Sequence, residues 1–203
     1  MKTCILPISY LPDLSFFHLM NKCHNAILLD DVKNPKANIA HIKDKELVIP
    51  ISKWDYLNEI KIEKSSSWKE DHLKALKMIY SKEPNFDKIY AIIEGRFTQA
   101  SEDVYKRHQA ELLIDICIDF IYWFRGYLGI KSDIAYSSKM GFSGFPLEER
   151  CALMCSAAGT TEYISYDKVS VIMFPKMALT KTPKPKGISI IDRIFAKGKE
   201  CLE

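Results

Sequence analysis

Three observations predict an α/β fold with a mainly parallel, Rossmann-like sheet and helices on both faces. Two apolar runs, "CILPIS" from Cys4 and "NAILLDD" from Asn25, flank one amphipathic segment, the spacing of a βαβ unit with parallel strands. Strand-like and helix-like segments then alternate over most of the chain. The 203 residues, 47% hydrophobic and 27% charged, suit one ordinary domain that buries its core without disulfides or metal.

Each element has its own signal. Pro12 and Asp13 start the first helix, on which Phe16, Met20 and Cys23 recur at i, i+4 and i+7. "ELVIP" from Glu46 and "EIKIE" from Glu59 alternate as the strands of a small antiparallel edge hairpin. Ser67 with Glu70 makes a capping box that opens the helix ending at Tyr80, and a further helix covers Phe86 to Glu94. Ser101, followed by Glu102 and Asp103, starts a long helix that Gly126 and Gly129 close near Tyr127. "SDIAYSS" is the third strand, Pro146 opens a helix closed by Gly159, and "TEYIS" and "VSVIMF" are further strands.

The prolines and lysines of "TKTPKPKG", Thr180 to Gly187, mark a solvated linker. The core domain is therefore expected over 1–179, and 180–203 as linker plus amphipathic segment. Ile190, Ile191, Ile194 and Phe195 share one helical face there, suited to docking on the body, on a second copy or on a protein partner.

Several function classes fall away. A net charge of +3 falls short of a nucleic-acid binder. The most apolar window, Leu112 to Phe124, carries Asp115 and Asp119 and falls short of the ~20 residues of a membrane span, so it reads as a core helix. Pro7 and Pro12 interrupt the start before any leader pattern, so the six cysteines are expected as reduced thiols of a cytoplasmic protein. Cys151 and Cys155 share a helical face without the further ligands of a metal set. "MGFSGFP" suits a lid rather than a phosphate-binding loop, and no nucleophile elbow is present.

In an open parallel sheet, ligands bind beyond the carboxyl ends of the strands. Those ends carry Ser9 and Tyr10, Asp30 and Asp31, Ser137 and Ser138, and Ser165. Two adjacent carboxylates after a buried strand are costly unless a cation or donor cluster meets them, which marks Asp30 and Asp31 for function. Lys33, Lys36 and Asn38 follow in a polar loop able to hold an anionic group. Trp68 and His72, at i and i+4, share a face where the indole can bias the imidazole. Glu111, Asp115 and Asp119 read as the wet stripe of the long helix.

"PISYLPDLSFF", "AILLDDV", "LVIPI", "IKI", "WKEDH", "LGIKSDIAYSS" and "GTTEYIS" resemble the WbqC-like family in content and order, from Ile5 to Ser165. The resemblance implies an enzyme associated with bacterial surface-polysaccharide and O-antigen assembly. Its matching positions are Pro7, Tyr10, Pro12, Asp30, Asp31, Trp68, His72, Ser137, Ser138 and Ser165. The chain departs from the family pattern at Leu6, Ile39 and Tyr166, where a His or Gln, an Arg and a Gly are usual.

The leading functional expectation is a transferase that moves an acyl or aminoacyl group onto an amino sugar or related amine, with a sugar nucleotide among the candidate substrates. Asp30 or Asp31 is expected to bind the amine, with His72 as the general base and Tyr10, Lys33, Asn38, Trp68, Ser137, Ser138 and Ser165 contacting substrate. Pro12 is expected to stiffen the first crossover so that Tyr10 points over the rim, towards the Asp pair. The cofactor is left open. An ATP-dependent carboxylate-activating ligase and a non-catalytic scaffold subunit are the alternatives.

Overall fold

The computed structural model describes residues 1–43, 45–64, 67–98, 112–165, 178–181 and 189–202. Five strands form one sheet: β1 (Lys2–Pro7), β2 (Asn25–Leu29), β5 (Asp133–Tyr136), β6 (Glu162–Ser165) and β7 (Ala178–Lys181). Their spatial order is β5-β2-β1-β6-β7, and every neighbouring pair is parallel. Numbered by occurrence within this sheet, that is 3-2-1-4-5, the doubly wound order whose connections diverge between β1 and β6.

Alternation along the strands feeds two faces. Cys4 and Leu6 of β1, with Ala26 and Leu28 of β2, join the large core under α1 (Leu14–Lys22), α2 (Trp68–Tyr80), α3 (Phe86–Thr98), α4 (Leu113–Tyr127) and α6 (Ile190–Lys197). Ile27 and Leu29 instead meet Met154 of α5 (Leu147–Ala157), and Cys151 and Cys155 pack on that side with Ile5. Helices thus cover both faces, as the alternation predicts.

Asp13 caps α1 by accepting the Phe16 N–H at 3.1 Å. α2 begins at Trp68 as expected, but the Ser67 hydroxyl donates to Asp71 rather than closing a capping box with Glu70. The small hairpin differs from its expected pairing. β4 (Lys45–Val48) pairs with β3 (Ile39–Ile42) in a separate sheet, and Lys61 and Ile62 make only isolated bridges to Leu112 and Ile51. The partner strand therefore precedes β4 in the chain rather than following Pro50.

The expected start of α4 at Ser101, with Glu102, Asp103 and Glu111, lies outside the described residues, as do Tyr166, the 169–174 strand and 182–187 of the expected linker. Thr180 and Lys181 belong to β7. Asp119 does not lie on a wet stripe: it pairs with Arg96 at 2.5 Å, both partly buried. No helix among the described residues is long and apolar enough to cross a membrane.

The amphipathic C-terminal segment docks on the body of its own chain. Ile190, Ile191, Ile194 and Phe195 of α6 are fully buried, and Phe195 stacks on Tyr80 with ring centroids 4.6 Å apart. Tyr80 in turn donates its hydroxyl to Asp192. Phe195→Ala should therefore cost roughly 3–5 kcal/mol of stability, read from the urea midpoint. A cost below about 1 kcal/mol would mean that α6 is not part of the core.

Candidate functional site

At the carboxyl ends of β2 and β5, the acidic pair meets the serines as neighbours in the sheet. Asp30 Oδ1 accepts from the Ser137 hydroxyl and the Ser138 N–H, each at 2.9 Å, and its Oδ2 accepts from the Ser138 hydroxyl at 2.5 Å. The Asp30 N–H donates back to Ser137 Oγ at 3.2 Å. Arg150, from the first turn of α5, lays one terminal nitrogen 2.7 Å from both oxygens of Asp31. That ion pair is shielded, with side chains only 6% and 11% exposed.

Burial pushes the Asp31 carboxyl upward, but hydrogen bonds from Arg150 and Ser137 and the guanidinium charge outweigh it and hold the group below its ordinary range. A cation does meet the acidic pair, as the cost of adjacent charges demands. It is the chain's own arginine rather than a substrate amine. The cluster ties β2, β5 and α5 together and leaves Asp31 committed.

Tyr10 departs furthest from expectation. It does not point over the rim: its side chain is fully buried, and its hydroxyl lies 3.0 Å from His72 Nδ1. Trp68 packs edge-on against both rings, and Phe120 closes the far side of Tyr10 at 5.9 Å. The physical reason is area: a phenol ring gains more by joining this aromatic cluster than by standing in water, provided its hydroxyl finds a partner. Trp68 and His72 do share a face, as their spacing predicts, but that face looks into the core.

Burial drives the His72 pKa down to about 4, outweighing the opposing effects of a Val48 backbone hydrogen bond and the Asp71 charge. A neutral, enclosed imidazole of that acidity is a poor general base near neutrality. His72 is better described as the partner that makes burial of the Tyr10 hydroxyl tolerable.

The buried ring has a consequence for the backbone. With Tyr10 turned inward and its N–H bonded to the Ala37 carbonyl at 2.7 Å, Leu11 takes φ +42° just before Pro12. A left-handed leucine is strained, typically by about 1–3 kcal/mol, and such conformations persist where surrounding contacts over-determine them. This kink helps shape a cavity of about 480 Å³ at the end of β1.

The cavity's apolar floor includes Leu6, Phe16 and Leu19, and its polar wall includes Ser9, Asp13, Ser15, Asn34, Lys36, His41 and Ser189. β1 pairs Thr3 with Tyr163, so continuing the register sets Ser165, the last residue of β6, level with Ile5. The cavity opens at the carboxyl end of β1, the side of the sheet on which an open α/β fold offers a ligand site.

Of the residues expected at the site, Asn38 is buried and pins the hairpin, donating from Nδ2 to the Ile49 carbonyl at 2.9 Å. Lys33 lies 5.0 Å over the exposed Tyr56 ring. The departures from the family pattern at Leu6 and Ile39 both fall in the cavity lining. Sequence reasoning missed Asp13 as a wall residue, because its capping role explained it completely. It also passed over His41, whose Nδ1 lies 3.2 Å from Glu46 Oε1 on the facing strand, a pair visible only once the hairpin register is known.

Asp31→Asn strands a buried guanidinium and should destabilise the fold by roughly 3–5 kcal/mol. Because the folded pKa of Asp31 is depressed, its contribution is full at neutral pH and fades as the pH falls through that lowered value. An Asp31→Asn protein that unfolds at the wild-type midpoint would show the ion pair to be inert. For His72 the folded pKa lies below the unfolded value of about 6.5, so protons favour the unfolded chain between the two values. Stability should fall on acidification from about pH 6.5 to 4, by on the order of 3 kcal/mol, and His72→Gln should flatten that slope. An unchanged slope would place the titration elsewhere.

Comparison with known proteins adds one finding to this geometry: the model of the WbqC-like protein family matches residues 8–176. No curated protein and no solved structure matches the chain. The match takes in the first loop with its buried tyrosine, the acidic pair, the Trp68–His72 face and the serines beyond β5, and by it the chain belongs to the WbqC-like protein family.

Proposed function

We propose that the protein is a transferase that holds an amino sugar or related small-molecule amine in the cavity at the end of β1 and moves an acyl or aminoacyl group onto it, in the assembly of a surface polysaccharide or a related metabolite. The observation that carries this reading is the cavity itself: about 480 Å³, at the carboxyl end of β1, lined by residues with hydroxyl, amide and charged side chains as well as by apolar ones. That volume and mixed lining suit a hydroxylated ring.

In such a transfer the amine nitrogen attacks the acyl carbon, a C–N bond forms, the donor's leaving group departs, and the nitrogen loses a proton. His41 is the group we assign to that proton. Donating Nδ1–H to Glu46 leaves Nε2 as the acceptor, and the carboxylate orients the ring. Asp30, Ser137 and Ser138 hold the neighbouring strand ends in place rather than contact the amine.

Glucosamine, titrated by calorimetry and thermal unfolding, should bind the wild type, and Ser9→Phe, which fills the cavity, should abolish binding. At ten times the dissociation constant, the ligand should add about 1.4 kcal/mol of stability. His41→Gln should retain binding and lose roughly 10²–10⁴-fold in product formation. No binding of any amine by the wild type, or equal binding by Ser9→Phe, would refute the assignment.

A further inference from the structure

Asp13 and Lys36 both line the cavity, and among the described residues no ion pair joins them. Asp13 spends Oδ1 on the Phe16 N–H and the Ser15 hydroxyl, while its Oδ2 has no partner among the described residues. Lys36 comes from a different wall, the loop between β2 and β3, and its ammonium has no hydrogen bond or ion pair among the described residues. Both residues line the same space, over the apolar floor of Leu6 and Phe16.

Opposite charges near solvent attract only weakly, so the two can line one space without pairing. The walls here are braced. The 8–13 loop is pinned by the buried Tyr10 and by Asn34, whose Nδ2 donates to the Ile8 carbonyl at 2.9 Å. The two loops can therefore present separated charges without collapsing into a pair. Only a ligand carrying both complementary charges satisfies both walls at once.

We infer that the ligand of this cavity is zwitterionic: an amino sugar bearing a phosphate, its ammonium on Asp13 Oδ2 and its phosphate on Lys36. The inference rests on the amine-binding reading above and adds the anionic group. Lysine suits this role as a flexible point charge on an exposed residue, with the half-buried Asp13, held by its helix cap, as the fixed counterpart. A neutral sugar would leave the free carboxylate oxygen without a donor of matching charge, and an amine without an anion would leave Lys36 unused.

The test is calorimetric titration of glucosamine 1-phosphate, glucosamine and N-acetylglucosamine 1-phosphate into wild type, Asp13→Asn and Lys36→Gln. Asparagine caps a helix as well as aspartate does, so Asp13→Asn keeps α1 and removes only the charge. Equal melting temperatures of the free proteins check this. Wild type should bind glucosamine 1-phosphate at least tenfold more tightly than either analogue. Asp13→Asn should bring it to the level of the acetylated compound, and Lys36→Gln to the level of glucosamine.

If the wild type binds glucosamine and its phosphate equally and Lys36→Gln changes nothing, the zwitterion inference fails while the amine-binding reading stands. If none of the three compounds binds, both fail. If the acetylated phosphate binds as tightly as the free amine, Asp13 does not read an ammonium and the inference is overturned.

Discussion

The hydrogen bond between the buried Tyr10 hydroxyl and His72 Nδ1 is the constraint from which the site follows. A phenol with no exposed surface needs a partner, and a neutral imidazole offers an acceptor without bringing a charge into the core. The clamp fixes the loop after β1 against α2, and the Tyr10 N–H bond to Ala37 fixes it against the next loop. Leu11 is held in a left-handed conformation between these anchors and Pro12. The cavity is the space left by a loop that is pulled inward at one residue and braced at its neighbours.

Two clusters of polar groups stand on the same edge of the sheet, and they differ in how far their bonds are closed. Around Asp30 and Asp31, serines and Arg150 supply donors to both carboxylates, so the cluster holds strand ends together. Asp13 and Lys36 instead line the cavity, and one Asp13 carboxylate oxygen and the Lys36 ammonium have no partner among the described residues. Polar groups without internal partners are the ones able to exchange water for a ligand at little structural cost. The acidic pair, although the more conspicuous in the sequence, has its carboxylates bonded to serines and to Arg150 of the same chain.

The legible part of the sequence was what short-range pattern controls. β1, α1 and β2 follow from two apolar runs and a capped amphipathic segment, and the parallel sheet follows from them. The placing of Asp30 beside Ser137 follows too, because both lie at the carboxyl ends of parallel strands. The illegible part depends on long-range partners. Arg150 lies 119 positions from Asp31, and nothing in the local spacing of either residue points to the other. Tyr10 reads equally well as a rim phenol or a core ring until α2 and α4 close over it. Asp13 carries two roles on one side chain, cap and cavity wall, and the cap alone accounts for its sequence signal.

The central claim, that ligand binds beside β1 and not on the acidic pair, is tested most directly by mapping backbone amide shifts in a ¹⁵N–¹H correlation spectrum while glucosamine is added. The account predicts shifts concentrated at Ser9, Asp13, Ser15, Asn34, Lys36 and Ser189, with Asp30, Asp31, Ser137 and Ser138 unmoved. Shifts centred on the Asp30–Ser138 cluster, with the β1 loop unchanged, would contradict it and return the acidic pair to the role of substrate site.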